Sequence, residues 1–124
     1  MKSFTDIEQS KKLAKILQFK SADMSYIAII EDYTHPKKVK EYKLTVKDEC
    51  FNPRYDIPAW SLSALMELMN RNCYNVSLNC HGAEWNVKFD DSEKYKSFTK
   101  DYAVDAAFEM VCWLLENDKW FADY

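Results

Sequence analysis

Glycine is almost missing from this chain: a single residue, Gly82, in 124, beside three prolines and two histidines. Disordered and collagen-like chains are rich in glycine, proline and polar residues, and a composition that is 48% hydrophobic and 15% aromatic excludes both classes. Also missing is any apolar run near the roughly 20 residues that a membrane helix needs, and the opening twelve residues hold no apolar signal core. A cytoplasmic protein is the expectation. The four cysteines, Cys50, Cys73, Cys80 and Cys112, have no CxxC or other zinc-ligand spacing, so reduced thiols are expected. No catalytic or ligand motif rises above a weak signal, and no cofactor is implied.

What is present suffices for one packed domain over residues 1–124, since a chain of this length buries roughly two-thirds of its unfolded surface. Charge is unevenly spread over it. Residues 1–47 carry 10 lysines against 6 acids, while residues 48–124 carry 7 basic residues against 14 acids. Such asymmetry can steer a charged partner, and it is also common on ordinary solvated surfaces.

The strongest periodic signal lies over residues 101–117. Ala103, Val104, Ala107, Phe108, Val111, Leu114 and Leu115 recur at steps of three and four, which predicts a core helix. Its solvent ridge is expected to be Asp101, Asp105, Glu109, Cys112 and Glu116. Near the start, Thr5-Asp6-Ile7-Glu8 reads as a capping box opening a helix that runs to about Phe19. Residues 24–32 alternate as a strand with Tyr26, Ala28 and Ile30 on one face and Ile27 and Ile29 on the other. A second strand puts Tyr42, Leu44 and Val46 opposite Glu41, Lys43 and Thr45. Pairing Tyr26 with Val46, Ala28 with Leu44 and Ile30 with Tyr42 centres the hairpin on Pro36.

Two prolines mark residues 48–59 as irregular, leading into a short helix over 60–69 with Leu62, Leu65, Met66 and Met69 inward. A second hairpin follows. A turn at His81 and Gly82 would set Leu78 against Trp85, Val76 against Val87 and Tyr74 against Phe89. Residues 90–100 read as a polar link to the last helix. The order is α-ββ-α-ββ-α: an α+β fold of antiparallel hairpins with helices on one face.

Three stretches carry a resemblance: Ile7-Glu8-Gln9-Ser10-Lys11-Lys12-Leu13 followed by Ser21-Ala22-Asp23-Met24, then Pro58-Ala59-Trp60-Ser61-Leu62-Ser63-Ala64-Leu65-Met66-Glu67-Leu68-Met69, and Val111-Cys112-Trp113-Leu114-Leu115-Glu116-Asn117. Together they resemble a group of small proteins from gut anaerobic bacteria and their phages or mobile elements. The resemblance implies a bacterial or phage origin and a small α+β domain. It brings no activity or binding residue, and the linker after Phe89 is longer here.

Several candidate sites compete with bland readings. Cys80 and His81 are neighbours in a strand and so point to opposite faces, and alternation buries Cys80, which speaks against a nucleophile and base. Cys50, in the irregular segment near Arg54, is the weak reactive-thiol candidate. His35 and His81 sit at the two hairpin tips beside carboxylates, without a spacing that fixes a metal site. Lys37, Lys38, Lys40, Lys43 and Lys47, with Tyr33 and Tyr42, could track a nucleic acid, but lysine on a hairpin also blunts edge pairing. The surplus apolar surface is the more telling feature. Ile27 and Ile29 face away from the core side of their strand, and Trp120, Phe121 and Tyr124 crowd the C-terminus; covering them calls for the first helix, residues 48–59 or a second copy. A non-catalytic interaction module, possible as a self-associating one, is the expected class, with a small cysteine enzyme or a nucleic-acid accessory protein as the alternatives.

Overall fold

A computed structural model describes residues 2–32, 38–46, 51–72, 75–91 and 93–117. In chain order the elements are α1 (Ile7–Ala14), a 3-10 turn (Phe19–Ser21), β1 (Met24–Asp32), β2 (Lys38–Val46), β3 (Ile57–Ala59), α2 (Leu62–Asn72), β4 (Val76–His81), β5 (Glu84–Asp90), β6 (Tyr95–Lys100) and α3 (Ala103–Glu116). They form an α+β fold of two three-stranded antiparallel sheets, β2-β1-β3 and β4-β5-β6.

α1 is capped one residue later than its sequence suggests. The Asp6 carboxylate accepts from the Gln9 amide at 2.8 Å and the Gln9 side chain accepts from the Asp6 amide at 3.0 Å. Thr5 is fully buried, and its hydroxyl accepts from the Trp60 amide at 3.1 Å and shares a hydrogen bond with Ser10 at 2.8 Å. A hydroxyl committed to a distant strand end cannot also cap, so the neighbouring carboxylate takes that role. The helix ends at Ala14 rather than near Phe19, because the chain tightens into bonds such as Ile16 N–H to Leu13 C=O before the 3-10 turn.

The core gathers Leu13, Leu17, Trp60, Leu65, Met69, Val87, Phe89 and most of α3. α3 lies across β5 and β6 and against α2, while α1 packs on β3. Cys112 is buried within this core, so the outer ridge of α3 is formed by Asp105, Glu109, Trp113 and Glu116 without it. Burial pushes its thiol up to about 11, where a thiolate would need solvation that the site does not provide. Lys2 ties the N-terminus to both helices, donating to Asp105 at 2.6 Å and Asp6 at 3.0 Å. Burial lowers its proton affinity, but the two carboxylates outweigh that and hold the ammonium above its ordinary value.

Both hairpins slip in register by two residues, the first only as far as Ile29, beyond which an irregularity sets Ile30 against Val39 instead of Tyr42. In the first, Tyr26 pairs with Leu44 and Ala28 with Tyr42; in the second, Val76 pairs with Phe89, Leu78 with Val87 and Cys80 with Trp85. A slip of two preserves every side-chain face, so alternation cannot detect it. The second turn is Gly82-Ala83, with Gly82 at φ +65. A His81-Gly82 turn would instead have put histidine at the position that demands positive φ.

Two strands arise where irregular chain is expected. Ile57–Ala59 pairs with β1, and Tyr95–Lys100 pairs with β5 along its whole length. Sheet one thus has its edge strand at a proline, and the link to α3 is itself a strand whose Phe98 packs against the core.

Candidate interaction surface

The β1–β2 hairpin stands apart from the rest of the fold. None of its described residues belongs to the hydrophobic core, and beyond Ser25 none of its described side chains is buried. Its base is anchored: β3 flanks β1 from Met24 to Tyr26, and the Tyr26 hydroxyl donates to the Thr5 carbonyl at 2.7 Å. Burial there raises the Tyr26 phenol above its ordinary value. Past Tyr26 the structure continues as a two-stranded ribbon.

Asp56 closes one edge of that ribbon. Its carboxylate accepts from the Ala28 amide at 2.8 Å, just past the last residue that β3 pairs. The same carboxylate accepts from the Asn52 amide at 2.8 Å, which holds the 52–56 turn against the strand. Backbone polar groups alternate sides along a strand, so this bond assigns the even residues of β1 to the β3 side and Ser25, Ile27 and Ile29 to the β2 ladder. Their partners Thr45, Lys43 and Glu41 therefore bond inward. Tyr42, Leu44 and Val46 present N–H and C=O groups at the outer edge of β2, where no other described strand lies.

The side chains of the ribbon divide by face. Tyr26, Ala28, Tyr42 and Leu44 share the face turned toward the N-terminal segment. Ile27 and Ile29 share the other with Lys43 and Glu41; Ile27 is half-buried and Ile29 is 38% exposed. Val46, at 68%, is the most exposed large apolar residue among those described. Trp120, Phe121 and Tyr124, the other expected interface residues, lie outside the described residues, as does Cys50.

The remaining candidates fare differently. Cys80 is exposed rather than buried: of its strand only Val76 and Leu78 reach the core, and the Cys80 thiol, one pair from the turn, donates to Gly82 C=O at 3.4 Å. His81 is exposed beside it, and among the described residues no group of three metal-ligating side chains comes together. His35 lies outside them. In the described part of the 48–59 segment, Arg54 lies over the Tyr55 ring at 5.6 Å and Asp56 is engaged with backbone amides. Lys40 and Lys43 are exposed on β2, with Tyr42 half-buried between them.

Two clefts of about 350 Å³ open elsewhere. One, beside α2, is polar, with Arg71 held by Glu67 at 2.6 Å and Asp23 accepting from the Ser61 amide at 2.9 Å. The other is walled by Leu62, Trp85 and Tyr102, with Lys2 and Asp101 at its rim. In the first, the Ser61 hydroxyl also donates to the second Asp23 oxygen at 2.5 Å while accepting from the Ala64 amide at 3.1 Å, so that serine and carboxylate are engaged in capping α2.

No protein-family model, curated protein or solved structure matches this chain. The surface must therefore be read from its own chemistry. Sequence alternation identifies Ile27 and Ile29, but the open edge of β2 depends on β3 and Asp56, whose role no local pattern announces.

Proposed function

We propose that this chain is a small non-catalytic interaction module of a bacterium or mobile element, acting in the cytoplasm and associating with itself through the β1–β2 ribbon. The observation that supports this reading is the ribbon itself: nine-residue strands whose described residues are anchored at the base and lie outside the core, with apolar side chains on both faces. Isolated two-stranded hairpins are marginal in water, so strands of this length gain stability when another surface completes them. No described cluster competes with it as a catalytic centre.

The test is the absolute mass of the purified protein by light scattering over a concentration series, for the native chain and for Ile27→Asp and Ile29→Asp. A concentration-dependent dimer is expected. A mass near 14.7 kDa at every concentration, with both variants folded and equally soluble, would exclude the reading.

A further inference from the structure

The ribbon is open along the outer edge of β2, and the sequence of that edge is close to self-complementary in charge. Glu41 and Lys43 flank Tyr42, both are exposed, and neither is in an ion pair with another described residue. We propose that two copies of this chain pair antiparallel along β2, about a two-fold axis through Tyr42, so that Glu41 of each copy lies opposite Lys43 of the other. This rests on the interaction-module reading and names its partner and contact.

Three features lead to this register. First, the backbone groups of Tyr42 and Leu44 already face outward, so a symmetric ladder centred on Tyr42 needs no rearrangement of β1–β2. Second, the same centre is the midpoint of Lys38–Val46, and the register irregularity beyond Glu41 lies outside the Glu41–Lys43 stretch that defines the pairing. Third, charge discriminates against the adjacent symmetric registers. Shifting the axis by one residue in one direction sets Glu41 against Glu41, and in the other sets Lys43 against Lys43, whereas the Tyr42 axis makes two opposite-charge pairs. Lysines at β-edges commonly repel unwanted strands. Here the neighbouring glutamate turns the same lysine into a register key.

Edge pairing of one strand buries little surface compared with a stable dimer interface, so the dimer is a weak one that forms with rising concentration. Its ion pairs are exposed, and added salt weakens it.

Light scattering on four full-length proteins tests this: the native chain, Glu41→Lys, Lys43→Glu and the double exchange. Because both side chains are exposed, the folded monomer tolerates all of them, which circular dichroism checks. Each single reversal replaces two attractive cross-strand pairs with two repulsive ones and weakens dimerisation by roughly tenfold or more, while the double exchange restores it. A dimer indifferent to the reversals but abolished by Ile27→Asp overturns the edge pairing and leaves the ribbon reading standing, with the isoleucine face as the contact. A chain that stays monomeric throughout overturns both.

Discussion

Cys112 and Cys80 show how one side-chain type takes opposite roles from its surroundings. Cys80 lies exposed at a hairpin end, whereas Cys112 is enclosed between the core side of α3 and its neighbours. Raised from an ordinary 9.0 to about 11, the Cys112 thiol keeps its proton in the folded state at a pH where the unfolded chain has lost it. Its contribution to stability is thus complete below pH 9 and declines as the pH rises toward 11. The denaturation midpoint of the native chain should fall more steeply over that interval than that of Cys112→Ala, measured in urea. Parallel profiles would contradict it. In the same residue-scale view, Thr5 and Asp6 explain why the first cap is read one position early: both side chains can cap, and only the tertiary bond from the Trp60 amide to Thr5 decides between them.

At the scale of elements, the second hairpin depends on its single glycine. Gly82 holds φ +65, and a Cβ there would meet no atom within 4 Å, so a substitution costs backbone strain and not space. Gly82→Ala should lower stability by about 1–2 kcal/mol, and Gly82→Asn by less, in equilibrium denaturation. Equal stability of all three would mean that the turn relaxes to another type. This turn also marks the limit of sequence reading. Alternation in Val76, Leu78, Val87 and Phe89 gives the core face correctly, but only the φ requirement distinguishes Gly82-Ala83 from His81-Gly82. β6 escapes notice because Lys96, Thr99 and Lys100 dilute its alternation, and β3 because Pro58 argues against a strand. Pro58 is tolerated there because it faces Ser25, the β1 residue whose own backbone bonds point toward β2. Among the described residues, the three α-helices and four of the six strands follow from local patterns; β3 and β6 depend on a neighbour that supplies their hydrogen bonds.

Across the whole molecule, stability should be uneven. The body is cemented by Trp60, Phe89 and α3, while no described residue of the ribbon beyond Ala28 belongs to the core. Native-state hydrogen exchange should therefore show the Ile30 amide exchanging far faster than those of Val87 and Phe89. The Tyr42 and Leu44 amides should gain protection as concentration rises, while a concentration-independent pattern would count against pairing at that edge. The isoleucine pair was legible from sequence as surplus apolar surface. The open edge was not, because its direction is set by Asp56, far along the chain.

Asp56 and Pro58 carry a consequence for the stoichiometry of assembly. A sheet that can recruit strands on both sides grows without limit, as fibres do. Here the β3 side offers almost no template: its outward-facing residue is Pro58, which has no N–H, and the next donor along β1 is already taken by the Asp56 carboxylate. Growth is left with one direction, and pairing about a two-fold axis uses that direction up in both partners at once. Under the proposed edge pairing the assembly would be a closed pair, and the proline and the carboxylate on the far side, not the contact itself, would set the count at two.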